Sequence, residues 1–538
     1  MNKTYRFEGS EMNRKLLLGH PSGLFILFFT EMWERFSYYG MRALLVLFLT
    51  SSLLDGGWAW SREEALGLYG TYTMLVYFTP IIGGLLADKL LGYRWAVALG
   101  ALIMTLGHAS MAADTPWSLY VGIGLLVAGN GLFKPNITSI INGIYVNAQE
   151  KKDGAFTIFY MGVNAGAFLG IMLCGYVGES IGWHWGFGLA GIFMFFGMLQ
   201  FWFAQGIFGT IGLGPKKMAQ ANIDLASAVP STQEIDINAI EEENTKAYQQ
   251  EVVTPKMQID RYIVVGILAI FTIFFWMCFE QAGGSMTIFA KDYTNRVLEG
   301  AAANTFRIVN TLLTVVPLLI ITYVLFQLFK ITFKKFFASN IFLGTSFAII
   351  WTIVIWMLYR QFGETKTEIP ASWFGILNSF FIIAFAPLIS KIWESKLNPP
   401  ATIKFGMGLV LLGLGFGILA YGSAGIPQGA EFASVSIIWL ILAYLFHTLG
   451  ELSLSPVGLS YVSKLVPAKV IGMMFGLWYI AVGLGNKAAG SIGGQIDKIV
   501  ESHSMSYFFL IFTLVPIGAG VLLMIMTPFI KKLMHGVR

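Results

Sequence analysis

Apolar runs of about twenty residues recur along almost the whole chain, each long enough to cross a bilayer as a helix. Lipid offers no partner to a backbone polar group, so such runs must satisfy their own hydrogen bonds, as helices do. The runs fall at roughly 22–50, 64–88, 95–113, 117–143, 155–178, 184–212, 261–290, 307–330, 337–359, 372–393, 402–421, 434–461, 468–494 and 506–530. About fourteen spans make an all-α polytopic membrane protein. Composition agrees: only 12% of residues are charged and 56% are hydrophobic, where a soluble domain carries about 25% charge. The 60 glycines suit helices that approach closely. The net charge of +5 is modest and its bases lie mostly between apolar runs, so it reports topology and no nucleic-acid partner. Cys174 and Cys278 both sit inside apolar runs; no disulfide framework, metal spacing or cofactor follows from them. The polar stretch before the first run has no compact apolar core, so the first span itself is expected to direct insertion.

The bases fix the orientation. One set of connections holds Lys89/Arg94, Lys151/Lys152, Lys330/Lys334/Lys335, Lys391/Lys396/Lys404, Lys464/Lys469 and Lys531/Lys532. The opposite set, with Arg62, Lys291, Arg296, Arg360, Lys366 and Lys498, is poorer. The richer set belongs in the cytoplasm, which puts both termini there; the expected location is the cytoplasmic (inner) membrane. One long polar segment, Pro215 to about Asp260, contains Glu241, Glu242 and Glu243 and few aromatics, and reads as a flexible cytoplasmic linker. The expected organisation is a six-helix bundle over 1–213, a linker over 214–260 and a second six-helix bundle over 261–538. Two surplus spans, about 305–360, form an inserted hairpin. Two six-helix halves with a site at midplane between them is a transporter plan.

The first span carries Glu31-Met-Trp-Glu34-Arg35-Phe-Ser-Tyr38-Tyr39-Gly-Met-Arg42. Glu31, Glu34, Arg35, Tyr38 and Arg42 are spaced i, i+3, i+4, i+7 and i+11, one narrow helical stripe. Each charge costs roughly 2.5–3.5 kcal/mol at the bilayer centre, so the stripe faces protein or water. It marks either an ion or substrate pathway or a structural ion-pair cluster. Further polar groups lie inside other spans. They are Asn130 and Lys134 in the fourth, Tyr160 and Asn164 in the fifth, Trp276 and Glu280 in the seventh, and His447, Glu451 and Ser455 on one face near Pro456. Gly162, Gly166 and Gly170 form a small-xxx-small series for close helix contact. His447 reads as a packing histidine, and Asn486-Lys487 as an interfacial pair.

These motifs resemble the proton-dependent oligopeptide transporter family of the major facilitator superfamily. The first-span run matches its ExxERFxYYG pattern. The loop Gly83-Gly84-Leu-Leu-Ala-Asp88-Lys89-Leu-Leu-Gly92-Tyr-Arg94 resembles the superfamily's loop motif. Phe159-Tyr160-Met-Gly-Val-Asn164, Phe275-Trp276-Met-Cys-Phe279-Glu280-Gln281 and Gly450-Glu451-Leu-Ser-Leu-Ser455-Pro456 carry the likeness into both halves. The resemblance implies a major facilitator fold and a monomeric proton symporter for di- and tripeptides. It implies that Arg35, Arg42 and Lys134 meet the peptide carboxylate, and that Glu451, Asn164 and Asn378 meet its amine. Asn378 rests on a looser match, Trp373-Phe-Gly-Ile-Leu-Asn378. Tyr38, Tyr39, Tyr77, Trp276 and Trp478 would line side-chain pockets, with Ser455 and Glu280 beside them. Proton coupling would fall to Glu31, Glu34, Arg35 and Glu280. Mammalian relatives add a second-span histidine; this chain has none there, so carboxylates must suffice. Bacterial relatives often place two extra helices between the sixth and seventh core spans, where this chain has its polar linker. Here the extra pair falls between the seventh and eighth instead and, lacking a midplane acid, is expected to pack peripherally.

The chemistry itself suits peptides. Cations gather in the first half and acids in the second, so a zwitterion bridging them draws the halves together. A same-fold carrier of another small anion or a peptide-like drug remains the alternative. No Ser/His/Asp set, HExxH motif or Cys/His metal spacing points to an enzyme.

Overall fold

The structure, a computed structural model, describes residues 7–220, 254–395, 398–467 and 470–537. Most of the expected linker, 221–253, lies outside the described residues. The first six long helices are α1 (Ser22–Thr50), α2 (Arg62–Leu86), α3 (Tyr93–Met111), α4 (Pro116–Ile144), α5 (Lys152–Ser180) and α6 (Trp183–Ala204). Then come α7 (Pro255–Phe279), the short α8 (Ser285–Asp292), α9 (Gly300–Thr332) and α10 (Phe337–Gly363). The remaining long helices are α11 (Ile376–Glu394), α12 (Ala401–Gly422), α13 (Ile438–Leu465), α14 (Ile471–Gly493) and α15 (Met505–Ile525). Leaving α8 aside, the remaining fourteen match the fourteen apolar runs. Among the described residues, eleven spans are long and apolar enough to cross a membrane by length and composition alone. The charged stripe keeps α1 out of that set.

Helices α1–α6 pack on one another, as do α7 and α11–α15; the two groups meet along α2 against α14 and α5 against α11. Glycine sets how closely α1 and α5 approach. A Cβ on Gly166 would stand 2.2 Å from the Met32 carbonyl oxygen, and one on Gly170 2.2 Å from that of Phe36. The small-xxx-small series therefore holds the charged stripe of α1 against α5. At the second seam a Cβ on Gly70 would lie 2.9 Å from the Gly490 Cα. That contact corrects the interfacial reading of Asn486-Lys487. Asn486 is fully buried, and the Lys487 ammonium donates to Thr71 Oγ1 at 2.7 Å, because α14 runs along α2 there.

The seventh span is broken. Helix α7 gives way at Glu280 to a turn of 3-10 helix through Gly283 and resumes as α8. Gly283 has no alternative: its Cβ would sit 1.9 Å from the Tyr69 hydroxyl. Discontinuous helices of this kind place polar groups at membrane depth where they line a cavity.

The inserted pair starts and ends at one point. Val297–Leu298 pairs antiparallel with Thr367–Glu368, so α9 and α10 leave and rejoin the chain side by side. Arg296 pins that strand pair, bonding Glu368 at 2.9 Å and the Ile369 carbonyl at 2.6 Å. Although inserted in the second half, the hairpin packs on α6, α1 and α5 of the first. Phe347 meets Phe29 and Trp33 at 5.7 and 5.6 Å, and Ser339 Oγ donates to the Gln200 carbonyl at 2.7 Å. It contributes nothing to the lining of the central cavity.

Candidate substrate site

A cavity opens between the two groups of helices. Its lining includes Tyr39 and Arg42 from α1, Tyr77 from α2, Tyr160 and Asn164 from α5, Trp276 and Glu280 around the α7 break, Asn378 from α11 and Glu451 from α13. A second cleft, lined by Glu31, Arg35 and Lys134, shares Tyr39, Tyr160 and Val163 with the first, so the two adjoin.

The stripe on α1 forms the geometry its spacing implies. Arg35 Nε donates to Glu31 Oε1 at 2.8 Å and lies 2.5 Å from Glu34 Oε2. That nitrogen carries one hydrogen, which goes to Glu31, so Glu34 Oε2 is left without a hydrogen bond. Glu34 is fully buried; its other oxygen accepts from Asn130 Nδ2 at 2.8 Å. Lys134, one turn along α4 from Asn130, has no ion pair among the described residues and lies 4.8 Å from the centre of the Tyr77 ring.

Arg42 and Glu280 form an ion pair between α1 and the α7 break. Tyr69 ties it together, accepting from Arg42 Nε at 2.6 Å and donating to Glu280 at 3.1 Å. Sequence reasoning missed Tyr69. The available signal was its i, i+8 spacing from Tyr77 on α2, which puts both on one face. Across the cavity Glu451 has no cation partner among the described residues and accepts from Asn378 Nδ2 at 2.9 Å, which places Asn378 beside that acid. Asn164 donates to its own helix at the Tyr160 carbonyl, 3.0 Å away. Trp276 and Tyr77 pack at 6.4 Å.

Three expected residues sit outside the lining. Tyr38 turns toward Tyr72, at 6.2 Å. Trp478 fills the space over Gly458, where a Cβ would be 2.3 Å from its ring. Ser455 Oγ is buried with no hydrogen-bond partner among the described residues. His447 lies 4.4 Å from the Phe416 ring at the edge of the cavity, and neither ring nitrogen has a partner among the described residues. The loop motif is structural: Gly92 takes φ +77° against Leu213 and Gly214, while Arg94 bonds the carbonyls of Ile211 and Gly209 beyond α6.

Among the described residues around the cavity, ion pairing thus leaves the base Lys134 and the acid Glu451 without an opposite charge in contact, each contributed by a different half. Known proteins resemble this chain over nearly its whole length. "Peptide transporter YePEPT" of Yersinia enterocolitica is 30% identical, over 97% of this chain and 96% of its own length. A "Di-/tripeptide transporter" of Lactococcus lactis is 28% identical over 97% and 98%. A crystal structure of a mutant peptide transporter POT bound to alafosfalin is 28% identical with a TM-score of 0.71, covering 97% of this chain and 98% of that one. The POT family model (PTR2) matches residues 94–339 and 344–510. Fold, family match and full-length similarity agree, and the chain belongs to the POT family.

Proposed function

We propose that the protein is a proton-coupled symporter that imports di- and tripeptides through the cytoplasmic membrane by alternating access, with both termini in the cytoplasm and each monomer complete in lipid. The observation that carries this reading is the pair of unmatched charges. A small peptide brings a carboxylate for the cations of the first half (Arg35, Arg42, Lys134) and an ammonium for Glu451 with Asn378 and Asn164. Binding both ends draws the halves together. Tyr39, Tyr77 and Trp276 offer apolar surface to varied side chains, which suits broad specificity. Relatives named as peptide and di-/tripeptide transporters support the cargo.

The lysine-poor end is then the outer one, and the Arg42–Glu280 pair closes the cavity from that side. Arg35 shared between two carboxylates supports a proton site on α1. When a proton takes the unbonded Glu34 oxygen, Arg35 is left to Glu31 and to the peptide.

Competition for labelled dialanine in proteoliposome exchange tests the cargo. Free di- and tripeptides should compete, whereas N-acetyl-dialanine and dialanine amide, each lacking one charge, should compete at least roughly tenfold more weakly. In Glu451→Ala the penalty for N-acetylation should vanish. Equal competition by all three ligands would favour a carrier of another small molecule.

A further inference from the structure

The outer end of the α5–α11 seam carries a contact that none of the transport roles above uses. Glu179, one residue from the end of α5, reaches across to the first turn leading into α11. Its two oxygens accept from the Ala371 backbone N–H at 2.8 Å, the Ser372 N–H at 2.9 Å and Ser372 Oγ at 2.5 Å. Nearby, Trp373 Nε1 donates to the Met172 carbonyl at 3.0 Å. In these four bonds every donor comes from residues 371–373 of the second half, and every acceptor from α5 of the first. The helices meet closely, since a Cβ on Gly175 would be 2.2 Å from Ser372 Oγ. A carboxylate at the positive end of a helix is well placed, but here it belongs to the opposite half and must let go whenever the outer side opens.

Glu179 has no ion pair among the described residues, and it is not sealed off. It lines an outer cleft with Asp55 from the loop after α1, Lys291 from α8, and Arg296 and Glu368 from the strand pair. Arg296 and Lys291 attract it from beyond contact distance. The inserted hairpin covers the flank: Trp356 of α10 meets Tyr176 at 5.7 Å, and Phe306 of α9 meets Trp373 at 6.2 Å. Arg360 of α10 faces Tyr176 and pairs with Glu364. Tyr176 lies one turn below Glu179 on α5.

We propose that Glu179 is a proton-operated latch on the outer α5–α11 seam, separate from the Arg42–Glu280 pair. The charged carboxylate holds the seam shut, and a proton entering from outside through the cleft releases it. Adding the proton to one carboxylate oxygen turns an acceptor into an O–H donor facing the N–H or O–H donors of residues 371–372. At least one bond is lost and the charge assistance goes with it. The latch rests on the alternating-access reading and adds to it a second place where external acid acts.

Electron–electron spin distances test it, in nanodiscs with no peptide present. Labels at Ile181→Cys and Phe432→Cys, both exposed on the outer face, report the gap; both native cysteines are buried. With Glu179 intact, acidification should enlarge the long-distance population. Glu179→Gln should show that population already at neutral pH, with the open-to-closed ratio raised roughly tenfold, and no further response to acid. Ser372→Ala removes one donor but keeps the acid; it should shift less in the same direction and still respond to acid. A Glu179→Gln protein with unchanged distances and an unchanged acid response would overturn the proposal. Should that variant fail to fold, an unshifted Ser372→Ala would overturn it equally. Because no peptide is used, the outcome is independent of the cargo: a latch can fail while peptide uptake stands, and the reverse.

Discussion

Arg35 Nε has one hydrogen and two carboxylates competing for it. Each acid keeps one buried oxygen without a hydrogen bond, but Glu31 holds the charged Arg35 donor while Glu34 accepts only from the neutral Asn130 amide, which makes Glu34 the better proton acceptor of the two. Glu34→Gln mimics its protonated form. That variant should lose uptake driven by a pH gradient, with Glu31→Gln impaired less, while peptide–peptide exchange, which moves no net proton, survives. Counterflow and gradient-driven uptake measured on the same proteoliposomes check this; loss of both modes would mean that binding itself had failed. The stripe was legible in the sequence because charge in an apolar helix is conspicuous and i, i+4 spacing fixes its face. Tyr69 was not, since a tyrosine in an apolar run announces no partner. Asn486 and Lys487 were misplaced for a related reason: nearness to a span's end says nothing about whether lipid or another helix lies beside it. The lone Glu451–Asn378 bond shows the opposite case, a loose motif match whose residue nonetheless lands beside the acid.

Among the elements, the seventh span held the largest surprise. Hydropathy runs unbroken through Phe279, and only Gly283-Gly284 after Glu280 hints that the helix stops there. The hairpin's existence was legible as two surplus apolar runs, yet its partner was not. Apolarity tells a helix to be buried or in lipid, and the choice of α6 comes from shape, such as Phe347 fitting against Phe29 and Trp33. Its removal is a clean test, because Leu298 and Thr367 are already cross-strand neighbours. Replacing 299–366 with a short Gly-containing turn should leave dipeptide exchange within about threefold of the parent while lowering the thermal midpoint, since buried apolar contacts on α6 are lost. Abolished exchange in a folded deletion would assign the hairpin a part in transport.

At the scale of the whole molecule, the two halves touch along α2–α14 and α5–α11 and are pinned at one end by polar clasps. Arg62 bonds Asp292 at 2.7 Å and Asp497 at 2.6 Å, beside the Arg42–Glu280 pair and the Glu179 contact. The lysine-rich loops lie at the opposite end. A probe at Gly363, between α10 and the strand pair, should therefore react with an impermeant thiol reagent from outside intact cells; reaction only after permeabilisation would invert the topology. The central claim is that two charged halves move a zwitterionic peptide at the expense of a proton gradient. Uptake of dialanine into proteoliposomes, with and without an imposed gradient, acid outside, measures it most directly. Saturable uptake should rise above the external concentration only while the gradient lasts and should collapse to equilibration when a protonophore dissipates it. Accumulation indifferent to the gradient, or no saturable dialanine uptake in a protein that folds and inserts, would contradict the account.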